Sequence, residues 1–128
     1  MLGPRQVPHG YTSCINLPYV LKYNADAIPR QMSAVAKALD APPGCTAADA
    51  MDGLIRSLGM PRTLSDVEFP LDKLDAVCEL SLNDPWIYTN PRKLSTKEDV
   101  RAVLQMAIDG EPNLAAGTCA KRARLARE

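Results

Sequence analysis

The feature that most constrains this chain is its apolar spacing, which repeats at three and four residues almost throughout. The final example is the cleanest. After "STKE", Val100, Val103, Leu104, Ala107 and Ile108 fall on one helical face, and Gly110 follows as a stop. No segment of useful length alternates apolar and polar residues as a half-buried strand would. No repeat is present. The pattern predicts an all-α bundle of about five to seven helices.

The other helices follow from the same spacing and its punctuation. A first helix is predicted over 10–24, with Pro18 inside it expected to kink it or break it in two. A second starts near Pro29, a favourable first helical residue, with Met32, Val35, Ala36 and Leu39 on one face. "APPGC" connects it to a third. There Thr46, with Asp49 three residues on, forms an imperfect capping box. Ala47, Ala50, Met51, Leu54, Ile55 and Leu58 make the expected stripe, and Gly59 ends it. "MPRTLSDVEFP" is irregular. A fourth helix follows Pro70, with Leu71, Leu74, Val77, Cys78 and Leu82 inward. "NDPWIYTNPRKL" is read as a loop from its prolines and asparagines. The final helix opens on a capping box from Ser95 to Glu98.

At 128 residues the chain has the length of one domain. Fifteen basic side chains balance fifteen acidic ones, so no global charge steers nucleic acid or an anionic membrane. Lys121, Arg122, Arg124 and Arg127 make the last stretch locally basic. They read as a solvated terminal helix or frayed tail, with a local nucleic-acid or acidic-partner site the lesser alternative. No apolar run spans a bilayer, and no signal peptide is expected. Cys14, Cys45, Cys78 and Cys119 are far apart and form no C-x-x-C pair. This is neither zinc-ribbon spacing nor a tight disulfide framework, so reduced thiols and a cytoplasmic location are expected. Neither nucleic acid nor membrane is an expected partner.

The chemistry-bearing residues are few. His9, between Pro8 and Gly10, is the only histidine. A metal site needs two or three further donors, and the carboxylates form no obvious ligand cluster, so tight binding by this chain alone is not expected. A lone histidine is more often an ordinary surface or capped residue. Ser13 is near His9, but there is no G-x-S-x-G elbow. No G-x-G-x-x-G turn or Walker A loop is present to cradle phosphates.

Three stretches taken in order resemble the iron-containing (group III) alcohol dehydrogenases, including the maleylacetate reductase branch. They are "VPHGYTSCINLPYVLKYNADAIPRQMSAVAKAL", "AADAMDGLIRSLGMPRTLSDV" and "LNDPWIYTNPRKLSTKEDVRAVLQMA". The resemblance runs over about residues 2–110. It implies a helical, dehydroquinate synthase-like C-terminal domain over 1–110, with 111–128 as an extension or terminal helix. It implies a two-domain oxidoreductase using NAD(P) and iron or zinc, the metal held by one Asp and three His. The His of Pro-His-Gly, here His9, is the last of those ligands. In such enzymes the metal acts as a Lewis acid on the substrate oxygen while hydride passes to or from the nicotinamide. The Asn-Pro-Arg loop lies near the substrate pocket, which makes Trp86, Tyr88 and Asn90 candidates for its lining. For Trp86, a core anchor is an equal alternative.

The family's other metal ligands and its glycine-rich nucleotide turn lie upstream of Pro-His-Gly. This sequence does not contain them, so whether it is an enzyme in its own right stays open. No activity or bound cofactor is expected from it alone. Self-association through apolar surface, as a homo-oligomer, is expected. A non-catalytic helical module is the alternative reading. Substrate, metal and the NAD or NADP preference are not legible.

Overall fold

A computed structural model describes residues 7–110. Within them the chain forms five α-helices and no strand: α1 His9–Asn24, α2 Pro29–Ala38, α3 Ala47–Ser57, α4 Leu74–Ser81 and α5 Lys97–Asp109. Short 3-10 turns fill the connections, over Ser65–Val67, Leu71–Lys73 and Pro85–Thr89. The all-α expectation holds. The segment 111–128, its basic residues and Cys119 lie outside the described residues. No helix among the described residues is long and apolar enough to cross a membrane.

Helix α1 is the centre of the arrangement, packed on α3 and on α5. Ile15, Pro18, Tyr19 and Tyr23 are buried along it, at helical spacing. Pro18 does not break it; the helix is continuous from His9 to Asn24. Pro18 removes one backbone hydrogen bond, but it lies on the buried face, where packing from two sides outweighs the local loss. Ile15 and Tyr19 join Ala48, Leu64, Leu74, Cys78, Val100, Ala107 and Ile108 in one core.

The helix ends follow from capping chemistry. Thr46 Oγ1 accepts the Asp49 N–H at 3.1 Å and starts α3. Gly59, at φ +70°, ends it, and the Met60 N–H reaches the Ile55 carbonyl. Asp40, at φ +52°, ends α2 the same way, with the Ala41 N–H on Ala36. At α5 the capping box sits one residue later than the Ser95–Glu98 reading. It is formed by Thr96 and Asp99, and Asp99 Oδ2 also accepts the Ser95 N–H. The irregular segment before α4 closes the far end of α5. The Leu64 N–H donates to the Ala107 carbonyl and Ser65 Oγ to that of Ile108. A Cβ on Gly110 would lie 2.8 Å from Thr63 Cγ2, so only glycine fits there.

Two apolar stripes are placed differently from the expectation. On α3 the buried residues are Ala47, Ala48, Asp49, Asp52 and Ile55, while Leu54 and Leu58 are exposed. The alanines let α3 approach α1 closely, which turns the leucines outward. Leu71 is 63% exposed because it lies in the 3-10 turn ahead of α4, out of phase with Leu74 and Cys78. Helix α2 buries none of its residues fully.

Candidate functional site

His9 is the first residue of α1 and is exposed. Its carbonyl accepts the Thr12 hydroxyl at 2.8 Å, and no described side chain hydrogen-bonds its imidazole. Among the described residues, no group of three or more His, Cys, Asp or Glu could hold a metal. One free imidazole is not a metal site, so the described residues do not fit the implied iron or zinc by themselves.

Asn90 lies at the other end of α1. Asn24 Nδ2 donates to Asn90 Oδ1 at 2.9 Å, and Asn90 Nδ2 returns a bond to Asn24 Oδ1 at 2.7 Å. The Arg92 N–H also reaches Asn24 Oδ1. The Arg92 guanidinium stacks 4.1 Å over the Tyr23 ring, and Tyr23 Oη donates to the Lys93 carbonyl. The Asn-Pro-Arg loop is thus clamped on the last turn of α1. Fifteen residues at a 1.5 Å rise put it about 22 Å from His9.

Trp86 and Tyr88 are not drawn into that clamp. Trp86 is 76% exposed, which overturns its reading as a core anchor. Its backbone N–H is held by Asp84, and Tyr88 Oη donates to the Leu82 carbonyl at 2.7 Å, so both rings sit beyond the end of α4. The structure therefore sets His9 apart from Asn90, and the Trp86 and Tyr88 rings, in the 3-10 turn that Asn90 caps, outside the clamp.

Two features escaped the sequence reading. The first is Asp52, fully buried on α3. Its Oδ1 accepts from Arg62 Nε at 3.2 Å. Arg56 Nε is also 3.2 Å from Oδ2, but that oxygen receives no hydrogen bond, so Arg56 holds it by charge alone. Tyr19 Oη donates to the Arg62 carbonyl. Burial pushes the Tyr19 phenol above its ordinary value, with Arg62 opposing. The i,i+4 pairing of Asp52 with Arg56 was the available signal. The second is a cavity of about 350 Å³ between α1, α2 and the start of α3. Leu21, Met32, Ala36 and Ala48 are among its apolar walls, and Lys22 and Asp49 are charged members of the lining. It falls at the small end of ligand-pocket size.

Cysteine chemistry also differs from the expectation of reduced thiols. Cys14 and Cys78 are free, but Cys45, on the cavity wall, is disulfide-bonded. Burial raises the Cys78 thiol, which makes it an inert core residue.

A five-helix core built around α1, with Pro-His-Gly at its start and the Asn-Pro-Arg clamp at its end, defines a class. The chain belongs to the Fe-containing alcohol dehydrogenase family, as its C-terminal domain, and residues 3–108 match the family model. It is 35% identical over 112 residues to the maleylacetate reductase of Pseudomonas knackmussii, covering 86% of this chain and 30% of that protein. Its fold matches the crystal structure of a putative alcohol dehydrogenase from Ralstonia eutropha JMP134, with TM-score 0.72 and 34% identity over 82% of this chain and 28% of that one. It also matches maleylacetate reductase from Rhizobium sp. strain MTP-10005, with TM-score 0.69 and 32% identity over 81% and 28%. The chain thus spans about 30% of the length of the relatives it matches.

Proposed function

We propose that this chain serves as the metal-side helical domain of an NAD(P)-linked oxidoreductase of the alcohol dehydrogenase or maleylacetate reductase kind, and is inactive alone. The family match over residues 3–108 carries this reading. Exposure of His9 at the first turn of α1 supports it, because that imidazole is free to complete a site begun by other residues. In this reading His9 contributes one ligand to a divalent iron or zinc ion. Trp86, Tyr88 and Asn90 line or brace the substrate side, and residues 1–110 form the domain, with 111–128 as an extension. The working location is the cytoplasm.

The experiment is complementation. The chain, alone and mixed with a separately expressed N-terminal domain of the Rhizobium relative, is given iron or zinc. Nicotinamide absorbance is then followed with maleylacetate and short aldehydes. Activity only in the mixture, lost in His9→Ala, supports the reading. Turnover by the chain alone would sink it.

A second reading is a non-catalytic helical module that self-associates, with no nucleic acid and no membrane among its partners. It is favoured by exposed apolar side chains, among them Leu58, Leu80, Trp86 and Tyr88. Light scattering at micromolar concentration tests it. A dimer or larger species is expected, and a clean monomer counts against it.

A further inference from the structure

Helix α1 has a second face, turned away from the core. His9, Ser13 and Leu17 recur at every fourth residue, and Asn16 and Val20 follow His9 by seven and eleven. At about 100° per residue, these five side chains share about 100° of the helix surface. His9, Ser13 and Leu17 are exposed, Leu17 by 39%, while Asn16 and Val20 are half-buried. Ile15 and Tyr19 point the other way and are fully buried.

Asn16 is the anomaly on this face. Its Oδ1 is buried, yet among the described residues no group donates a hydrogen bond to it. Buried side-chain oxygens are ordinarily satisfied, and an unpaired one costs free energy. Local structure gives no reason for it, since asparagine is a poor residue for a helix interior. We propose that Asn16 Oδ1 accepts a hydrogen bond from the polypeptide that precedes this domain in its relatives, and that this polypeptide docks on the His9 face of α1.

The relatives supply the occupant. The chain matches the C-terminal domain of the family and spans 30% of the Pseudomonas reductase, so the bulk of such a protein precedes the match. That polypeptide joins the domain next to the first turn of α1, where the face begins. The face asks for two things from it, an apolar side chain against Leu17 and an N–H or O–H donor for Asn16. An apolar anchor beside a satisfied polar group is the ordinary make-up of a covered surface. The inference rests on the oxidoreductase reading and adds which surface the larger protein covers.

Asn16→Leu tests it in two ways. In the full chain alone it removes an unpaired buried oxygen, so the urea midpoint should rise. The rise should exceed that of Ser13→Leu, an exposed site on the same helix that controls for helix propensity. A rise no greater than the control, or a fall, means the oxygen is already satisfied and overturns the proposal. The second measurement is binding in metal-free buffer. The segment preceding the match in the Rhizobium reductase, shown to be folded by circular dichroism, is titrated onto the dye-labelled chain and followed by anisotropy. Asn16→Leu should weaken binding about tenfold, the loss of one hydrogen bond, and Leu17→Asp should weaken it further. Equal affinity for the parent and Asn16→Leu, or no binding by the parent, overturns the docking. So does a parent dimer that Leu17→Asp turns into a monomer, which would assign the face to a second copy. Binding that depends on Asn16 but brings no turnover with iron or zinc sinks the oxidoreductase reading and leaves this one standing.

Discussion

Asp52 shows how a single residue sets a local energy balance. A carboxylate with no solvent access is tolerated because two arginines neutralise it and one hydrogen-bonds it. Removing a partner from such a group costs more than the pair contributes, since the charge stays buried. Arg62→Leu should therefore lower unfolding free energy by about 3 kcal/mol, toward the lower end for a buried pair because Arg62 is partly solvated. Urea denaturation checks it, and a loss below about 1 kcal/mol would show that Arg56 suffices. Nothing in the apolar spacing of α3 announced this arrangement. The stripe through Leu54 and Leu58 obeyed helical periodicity, but Ala47 and Ala48 lie on the face that packs. Close approach of two helices selects small residues, and a spacing rule weighted by size of apolar group points to the wrong side. His9 and Asn90 are the reverse case. Both were singled out by their Pro-His-Gly and Asn-Pro-Arg settings, whereas the reciprocal partner of Asn90, Asn24, lies 66 residues away and has no local signature.

Individual elements show where capping chemistry decides a boundary. The start of α5 was legible to within one residue. Between Ser95–Glu98 and Thr96–Asp99, the reciprocal bonds fall on the second pair. Thr96→Ala should cost about 1 kcal/mol, while Ser95→Ala should be close to neutral, because only its backbone N–H is used. Thermal melts of the two variants distinguish the frames, and the opposite ranking would restore the earlier one. The same cap makes stability depend on acid. Hydrogen bonds from the Ser95 N–H, the Thr96 side chain and the Thr96 N–H hold the Asp99 carboxyl below its ordinary value. Asp75 is lowered likewise by Lys97 and then Arg101, which tie α4 to α5. A lowered folded-state value means the unfolded chain binds protons first as pH falls. The stabilisation is thus complete above the ordinary carboxylate value of about 3.9 and is lost as pH drops through the lowered ones. Denaturation midpoints measured down the acid range should hold steady to that point and then fall. Asp99→Asn should shallow the fall, and an unchanged slope would remove Asp99 from the account.

Taken whole, the bundle is joined by contacts that are distant in sequence. Asn24 to Asn90, Tyr23 to Lys93 and Tyr19 to Arg62 all tie α1 to later segments. Asn90→Ala leaves Asn24 Nδ2 without its acceptor, while Oδ1 keeps the Arg92 N–H, and should cost about 2 kcal/mol. Because the clamp ties the last turn of α1 to the connection ahead of α5, the loss should appear in a single cooperative transition. A separate early transition at the Asn-Pro-Arg loop would show the clamp to be local. The all-α class was readable because each helix announces itself within a few residues. The groove and the separation of His9 from Asn90 were not, since both depend on how whole helices cross. The central placement of α1 bears also on how the molecule is made. Its partner α5 begins 73 residues after α1 ends. At a translation rate of about 5–20 residues per second, Ile15 and Tyr19 leave the ribosome about 4–15 s before α5 can cover them. With only α2 to α4 made, the nascent chain therefore carries the α5-facing side of α1 open for that interval, the window in which a chaperone would meet it.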